Sequence, residues 1–370
     1  MLSKIKNFFA KETVFCVAAA CALLTIFIIP PSIAYLHYID FRVLCLLLCL
    51  MAVVAGMKAL GVFDWLTYQL LHRINRGRIL GVTLVLLPFF CSMFVTNDVA
   101  LIIFIPFTLM LLEQLNCKKS IIPVTVFQTI AANLGSMATP VGNPQNLYLY
   151  AFYNLGISEF FSITLPVTAI SLALLTVVSI PLLPKELPKQ NLNASKIHNR
   201  THLLVYLSLF ILCLLTVFRV VPYLITTAIT VCILFLIDRK LLKEIDYMLL
   251  LTFVCFFIVS ENLGQIQYVR EMLQNLLQSN TLLTAVGTSQ IISNVPAAVV
   301  LSGFTDQWKY LLAGVNIGGL GTPIASLASL ITIKFYMRWP DSKIGSFMVY
   351  FTLSNIGGLL LLLFFSTFLL

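Results

Sequence analysis

Long apolar stretches with almost no charge dominate the chain, and short polar segments separate them. Seven of these stretches have the length of an ordinary membrane-spanning helix, which needs about 20 apolar residues. They cover residues 12–30, 41–57, 160–183, 201–218, 220–237, 246–260 and 344–368. The pattern therefore predicts an all-α polytopic membrane protein.

One further apolar run, residues 79–112, is too long for a single spanning helix. It would measure about 51 Å as one α-helix, whereas the hydrocarbon core of a bilayer is about 30 Å thick. Its single charge, Asp98, follows Thr96 and Asn97 near the middle. Because each half is too short to span, we predict a re-entrant helical hairpin with its tip at Thr96-Asn97-Asp98.

A second overlong run, residues 120–155, carries no charge but has a break in its middle. Two glycines, two prolines and three asparagines lie between Asn133 and Asn146, and such residues interrupt a helix. Unwound backbone at membrane depth is tolerated only where it is buried in protein or lines a cavity. We therefore predict a broken helix here.

The same two devices recur in the second half of the chain, as a hairpin over 281–304 and a broken helix over 309–335. Residues 132–147 align without gaps on residues 315–330. Identical residues occupy Asn133/Asn316, Gly135/Gly318, Thr139/Thr322, Pro140/Pro323 and Leu147/Leu330. We interpret this as an internal repeat, which places substrate sites at the repeat interface near the bilayer midplane when the two copies have inverted topology.

Basic residues predict the sidedness of the chain. If both hairpins are re-entrant, about nine helices cross the membrane, and only Arg42, Arg219, Arg270 and Lys309 of the 23 Lys and Arg lie outside. If the first hairpin crossed the membrane fully, every later loop would change sides and Lys118 would lie outside. Since Lys and Arg concentrate on the cytoplasmic side, we expect re-entrance, an inner N-terminus and an outer C-terminus.

This topology makes the two halves an inverted repeat. We predict one repeat over residues 1–183, a cytoplasmic linker over 184–200 and the second repeat over 201–370.

The composition narrows the classes of function. Sixty per cent of the residues are apolar and 10% are charged, whereas a soluble domain has about 25% charged residues. A soluble enzyme, a nucleic-acid-binding domain and a disordered chain are thereby excluded, and the net charge of +9 reflects cytoplasmic Lys and Arg. The nine cysteines have no CxxC or metal-ligand spacing, so we predict neither a structural metal nor another cofactor.

Each predicted break is followed by the start of a new helix. A capping residue with proline or an acid behind it occurs at Asn97-Asp98, Asn143-Pro144, Ser293-Asn294-Val295-Pro296 and Thr322-Pro323. Four helix N-termini would then point toward mid-membrane, where their free N–H groups and positive dipole ends favour an anion. Carbonyl, Asn and Thr oxygens of the preceding half-helices suit a hard cation such as Na⁺.

The candidate substrate- and ion-binding residues are those of the hairpin tips and the breaks. Asp98 has three interpretations at this point: a Na⁺ ligand, a proton carrier, or a carboxylate that only caps a helix. Transient Na⁺ binding is expected at Asn97, Asp98 and Asn294. The full set is Thr96, Asn97, Asp98, Asn133, Gly135, Thr139, Pro140, Gly142, Asn143, Asn146, Ser293, Asn294, Asn316, Gly318, Gly319, Thr322 and Pro323.

Four segments, 94–106, 132–146, 289–296 and 315–331, resemble the motifs of the ion transporter superfamily, and the resemblance covers nearly the whole chain. That group includes citrate and dicarboxylate transporters, arsenite permeases and some Na⁺/H⁺ antiporters. The chain is most similar to short bacterial inner-membrane proteins with a citrate-transporter-like domain. The resemblance implies hairpin tips that bind substrate and Na⁺, elevator-type alternating access and often a homodimer.

The hairpin tips depart from one branch of that group. Dicarboxylate carriers have Ser-Asn-Thr at both tips, whereas this chain has Thr96-Asn97-Asp98 and Ser293-Asn294-Val295. The Asp98 tip is more similar to the arsenite and antiporter branches.

Three functions follow as hypotheses. The first is a secondary active transporter of a small anion such as citrate, a dicarboxylate or arsenite, coupled to Na⁺ or H⁺. The alternative is a Na⁺/H⁺ antiporter in which Asp98 exchanges the two cations. An intramembrane enzyme is disfavoured because no Ser/His pair, Asp dyad or His/Glu cluster falls at mid-membrane in the predicted topology.

The predicted sidedness is testable with one thiol. We expect Cys117, in a variant that keeps no other cysteine, to face the cytoplasm together with Lys185. A membrane-impermeant maleimide should label it in inside-out vesicles and leave it unlabelled in right-side-out vesicles. Strong labelling from outside would contradict the re-entrant first hairpin.

Overall fold

A computed structural model describes residues 12–33, 35–71, 74, 76–185, 197 and 199–369. These residues contain no β-strand and fold into helices, which confirms the all-α prediction. Most of the linker predicted at 184–200, residues 1–11 and residue 370 lie outside the described part. The helices are α1 (Thr13–Ile28), α2 (Phe41–Ala59), α3 (Val62–Leu71), α4 (Gly77–Cys91), α5 (Asn97–Gln114), α6 (Ile121–Ser136), α7 (Pro144–Phe152), α8 (Ile157–Ser179), α9 (Arg200–Val217), α10 (Tyr223–Ile237), α11 (Tyr247–Gln265), α12 (Gln267–Ile292), α13 (Asn294–Ser302), α14 (Trp308–Ile317), α15 (Leu327–Met337) and α16 (Ile344–Leu369).

Several helices have the length and hydropathy of membrane spans. In the described residues, six are long and apolar enough to cross: α2, α5, α8 with its extension to Leu182, α9, α11 and α16. Helices α4, α10, α15 and most of α1 are apolar but shorter. The chain is therefore a multi-pass membrane protein, while the number of crossings and their sidedness stay predictions.

The two predicted hairpins are present as pairs of packed helices. Helices α4 and α5 pack against each other and are joined at residues 92–96, with Thr96 at the N-cap of α5. Helices α12 and α13 are joined at Ser293. The sequence pattern did not predict the first part of α12, residues 267–279, because it is polar; a kink at Asn280 (φ −164°, ψ 95°) separates it from the hairpin arm.

Both broken helices are also present, but one restart was predicted at the wrong residue. Helix α6 ends at Ser136 and α7 begins at Pro144, as expected. Helix α14 ends at Ile317, and α15 begins at Leu327 with Ser326 as N-cap, not at Thr322-Pro323. The Thr322 backbone N–H and hydroxyl instead donate to the side chain and carbonyl of Gln290, at 2.8 and 3.1 Å.

Two hydrophobic cores organise the helices, and the breaks lie between them. Core I holds most buried apolar side chains of α4, α5, α6, α15 and α16. Core II holds most of those of α2, α7, α9, α11, α13 and α14. Each broken helix thus has one half in each core, and the tips of the two hairpins approach the breaks from opposite cores.

One exposed ion pair marks the end of core I that is remote from the breaks. Lys118, just before α6, and Asp341, between α15 and α16, are 2.5 Å apart (Nζ to Oδ2). Asp341 raises the pKa of Lys118 above its usual value, and Lys118 lowers the pKa of Asp341 below its usual value. We call this end of the molecule the Lys118 face.

Close packing of α4 on α6 generates a stability prediction. A Cβ at Gly135 would lie 2.0 Å from the Phe89 carbonyl oxygen, whereas one at Gly287 in α12 would meet nothing within 4 Å. We expect Gly135→Ala to destabilise the protein by about 1–3 kcal/mol or more and Gly287→Ala to be neutral or to stabilise by up to about 1 kcal/mol. Thermal unfolding in detergent measures both variants, and equal melting temperatures would refute the close approach.

Candidate substrate and ion site

Four helix N-termini converge on one small cavity between the two cores. Its lining residues are the N-cap or the first residues of α5, α7, α13 and α15, together with Leu249 of α11: Asn97, Asp98, Pro144, Gln145, Asn294, Val295, Ser326 and Leu327. Three of these helices start where the sequence predicted, and the fourth starts at Ser326. The convergence gathers free N–H groups and positive dipole ends at one point.

The cavity is narrow in this conformation. The space open to the centre of a water-sized sphere is about 10 Å³. That volume is enough for one water molecule or one small ion, and far less than a carboxylic acid occupies. A larger anion would therefore require the hairpins to separate from the breaks.

Asp98 brings an acidic oxygen into this space. Its Oδ1 atom is buried, and no described residue makes a hydrogen bond to it. Its backbone N–H donates to Asn97 Oδ1 at 3.0 Å, and Thr96 is the N-cap of α5. Because an unpaired buried carboxylate oxygen is costly, its position fits the ion-binding interpretations better than a purely capping role.

The hairpin tips attach to the breaks by matched hydrogen bonds in the two halves. The Asn97 N–H donates to Gly142 O (3.2 Å), and the Asn294 N–H donates to Ala325 O (3.0 Å). Gly142 and Ala325 are aligned positions of the internal repeat. Thr139 and Thr322, also aligned, each donate a hydroxyl back to the first arm of the adjacent hairpin, at the carbonyls of Met93 and Gln290.

A second matched pair of contacts joins the two halves. Asn316 accepts from Asn143 Nδ2 at 3.2 Å, and the aligned Asn133 accepts from Ser326 Oγ at 3.0 Å. Asn143 and Ser326 are the aligned N-caps of α7 and α15. The helix that ends at each break therefore hydrogen-bonds the N-cap of the helix that begins after the other break. This symmetry supports the interpretation of the two segments as a repeat.

Asparagine side chains connect these contacts into one network. Asn133 also accepts from Asn97 Nδ2 (2.9 Å), and Asn316 donates to Asn146 Oδ1 (2.7 Å). Asn146 in turn donates to the carbonyls of Met137 and Thr139 (3.1 and 3.2 Å), which lie in the first break. The amides thus satisfy the backbone that the breaks leave without helical partners.

The predicted site residues divide by position. Asn97, Asp98 and Asn294 line the cavity. Asn133, Asn143, Asn146 and Asn316 form the network behind it, while Thr96 and Ser293 are N-caps and Thr139 and Thr322 fix the breaks. Gly135, Gly142, Gly318 and Gly319 allow close approach, and Pro140 and Pro323 lie in the breaks outside the cavity lining.

Two glycines and one serine show how tightly the tips fit. A Cβ at Gly142 would lie 2.1 Å from Ser136 O, and one at Gly319 would lie 2.9 Å from Asn294 Nδ2. Ser293, at the second tip, adopts φ 75°, which is uncommon for a residue other than glycine. Such backbone strain concentrates at binding sites.

Leu249, Val295, Ser326 and Leu327 were not among the site residues predicted from the sequence, and Gln145 was predicted either as polar lining or as simple packing. Ser326 was detectable, because the repeat alignment pairs it with Asn143. Gln145 follows a predicted capping residue and proline, a position at which the first turn faces the cavity. Leu249 carries no such signal, since only packing brings α11 to the cavity.

Comparison with known proteins agrees with this architecture. The sequence model of a family described as citrate transporter matches residues 6–306. The chain belongs to the citrate transporter family. This membership confirms the resemblance noted from the motifs, and it supports the prediction that the chain is not an enzyme.

Two known proteins are similar to this chain over most of their length. An uncharacterized transporter of Methanocaldococcus jannaschii is 33% identical over 341 residues, which is 91% of this chain and 90% of that protein. The inner membrane protein YbiR of Escherichia coli is 30% identical over 300 residues, 80% of each. The human P protein is 32% identical over 134 residues, 35% of this chain and 16% of that protein.

The cross-half network predicts graded effects at Asn143. Its side chain accepts from the Asn146 N–H at 2.9 Å as a helix cap and also donates to Asn316. We expect Asn143→Ser, which keeps a capping oxygen, to cost less stability than Asn143→Ala, which costs about 1 kcal/mol for the cap and about 1–3 kcal/mol for the unpaired partner. Thermal unfolding in detergent measures both, and equal losses would contradict the capping role.

Proposed function

We propose that this member of the citrate transporter family is a secondary active transporter that moves a small anion across the cytoplasmic membrane, coupled to Na⁺ or H⁺. The carrying observation is the unpaired carboxylate oxygen of Asp98 at a cavity formed by four helix N-termini. Carboxylates and oxyanions such as citrate, dicarboxylates and arsenite are the substrate classes that this chemistry fits.

The helix N-termini support the proposal that the substrate is an anion. Each supplies a partial positive charge and first-turn N–H groups that have no partner within the helix, so an anionic group binds without a buried Arg or Lys. In this conformation the N–H groups of Asn97 and Asn294 donate to the breaks. In the part of the chain that the structure describes, no Arg or Lys lines the cavity.

The charge of Asp98 supports coupling to a cation. An ionised carboxylate about 5 Å from an anionic group repels it by about 3 kcal/mol at an effective dielectric constant of about 20. A proton or Na⁺ on Asp98 removes that repulsion, and the anion in turn strengthens cation binding by the same free energy. The pair would then bind and move together, which is symport.

The antiporter alternative rests on the same residue. If Na⁺ and H⁺ compete for Asp98 and no anion is needed, the carboxylate exchanges one cation for the other. The narrow cavity favours the antiporter, because in this conformation it admits an ion but no larger group.

Movement and assembly belong to the same proposal. The narrowness of the cavity supports elevator-type alternating access, in which the hairpins and breaks move as a unit. A location in the cytoplasmic (inner) membrane agrees with the inner-membrane name of the Escherichia coli relative. The homodimer is proposed from the motif resemblance alone.

The proposal predicts the behaviour of Asp98→Asn in proteoliposomes. Wild-type flux of carboxylates and oxyanions is measured with Na⁺ and pH gradients imposed separately, and we expect at least one anion to accumulate with one gradient. If Asp98 carries a proton, Asp98→Asn should stop responding to the pH gradient. If it ligates Na⁺, the Na⁺ concentration for half-maximal flux should rise about tenfold or more, which corresponds to about 1.4 kcal/mol.

Asp306→Asn serves as the matched control, because it also removes one carboxylate but lies exposed between α13 and α14, outside the cavity lining. It should transport like the wild type. Cation exchange without any anion would replace symport by the antiporter, and unchanged responses of Asp98→Asn to both gradients would remove Asp98 from the mechanism.

A further inference from the structure

A row of buried polar side chains extends from the cavity toward the Lys118 face. It lies where α6 packs against α15 on one side and against α4 and α5 on the other, within core I. We call it the polar seam and define it as Thr125, Gln128 and Thr129 of α6 with Ser329, Thr332 and Tyr336 of α15. All six are at most 3% exposed.

The seam is continuous with the site at one end. On α15, Ser329, Thr332 and Tyr336 continue the face of Ser326, at intervals of three, three and four residues, and such intervals share one side of a helix. Thr129 lies one turn from Asn133 on α6. The two helices are joined by Ser326 Oγ to Asn133 Oδ1 (3.0 Å) and Thr129 Oγ1 to Thr332 Oγ1 (2.7 Å).

At its other end the seam approaches the surface. The Tyr336 hydroxyl accepts from the Lys343 backbone N–H at 3.0 Å, and its ring stacks on Phe347. The Lys118–Asp341 ion pair lies at this same end. The titratable and charged groups along the described route include Asp98 at the cavity, with Asp246 near it, and Tyr336, Lys343, Lys118, Asp341 and Glu113 at the exit.

Two atoms of the seam have no partner among the described residues. Gln128 donates to Leu84 O and Thr108 Oγ1, both at 2.8 Å, but its Oε1 is buried without a hydrogen bond, as is Ser329 Oγ. Polar side chains that only join membrane helices satisfy each other. Buried atoms left over after such pairing point to water or an ion.

The other half of the molecule provides an internal comparison. Continued beyond residues 132–147 and 315–330 with the same offset, the repeat alignment pairs Gln128 and Thr129 with Leu311 and Leu312 of α14, and Thr332 with Leu149 of α7. These three leucines are fully buried in core II. The same helix packing is thus built from leucine on one side of the site and from polar side chains on the other, although leucine is less costly to bury at membrane depth.

The remaining aligned positions of the apolar half are polar but paired. Asn146, aligned with Ser329, makes three side-chain hydrogen bonds. Tyr153, aligned with Tyr336, donates to the carbonyls of Ser302 and Thr305. At these two matched positions the apolar half thus has hydrogen-bonded side chains, whereas Ser329 in the seam has none that pairs its Oγ.

We propose that the polar seam is a hydrated path along which the coupling cation moves between the cavity at Asp98 and the Lys118 face. The proposal rests on the proposed function for what moves, a small hydrated cation, Na⁺ or H₃O⁺. The hydroxyl and amide oxygens supply successive ligands for water, while the leucines of the apolar half seal the opposite side. The coupling cation would thus have a route of its own on one side of the site.

Silver ion tests the hydration directly and needs no substrate. Ag⁺ is a small monovalent cation that bonds to a thiol sulfur, and the thiol proton leaves to water as the bond forms. In a background without the nine native cysteines, Ser329→Cys and Thr332→Cys are exposed to Ag⁺ in membrane vesicles of each orientation. Loss of later maleimide labelling after denaturation measures the reaction.

Ala328→Cys and Leu149→Cys are the matched controls. The first is a fully buried neighbour on α15, and the second is the aligned position of the apolar half. We expect Ag⁺ to react about tenfold or more faster at the two seam positions than at the controls, and only from the side of the Lys118 face. Equal rates at all four positions, or reaction from the opposite side alone, would overturn the proposal.

Flux measurements separate a failure of the seam from a failure of the proposed function. Thr332→Val keeps the side-chain shape and removes the hydroxyl, so cation-driven flux should fall about tenfold, while Leu149→Val should leave it unchanged. Normal flux in Thr332→Val with equal silver rates rejects the seam. Absence of cation-driven flux in the wild type rejects the proposed function, and the silver rates still decide whether the seam is hydrated.

Discussion

The hydrogen bonding of unwound backbone at membrane depth is the constraint on which this structure depends. Two breaks, after Ser136 and after Ile317, leave carbonyl and N–H groups without helical partners, and the hydrocarbon cannot supply any. The asparagines of the two halves supply them instead. Because Asn316 holds the cap of α7 and Asn133 holds the cap of α15, neither half completes its own break.

This mutual dependence fixes the geometry of the cavity. The hairpin tips donate to the breaks at Gly142 and Ala325, so the N-termini of α5 and α13 lie beside those of α7 and α15. Four positive helix ends thus meet through backbone geometry alone, and Asp98 adds an acid to the cavity lining. In the proposed function, substrate and coupling cation would act on each other through this weakly screened space.

The two halves share the same arrangement of hairpins and breaks but differ in the polar residues at and near the cavity. Both place a hairpin tip on a break and a cap on the opposite half-helix. Yet Asp98 has Val295 as its counterpart at the second tip, and three residues of the polar seam have leucines as their counterparts. Similarity over most of the chain to an uncharacterized transporter of Methanocaldococcus jannaschii agrees with a framework used for transport. In the proposed function, such differences would set the ion and the side from which it enters.

The sequence by itself determined the all-α membrane character, both hairpin tips, both breaks and three of the four helix restarts. These features are local: apolar length, proline, glycine and capping residues act within a few positions of the chain. The sequence also contained the fourth restart, since the repeat alignment pairs Ser326 with Asn143, but the Thr-Pro at 322–323 was the stronger local signal.

Only the tertiary structure decided which side chains meet. The bond between Asn143 and Asn316 joins residues 173 positions apart, and Leu249 reaches the cavity through the packing of α11. The same holds for the atoms left unpaired at Asp98, Gln128 and Ser329. A hydrogen-bond partner is a property of two helices in contact, and no periodicity within one helix specifies which surface the other will present.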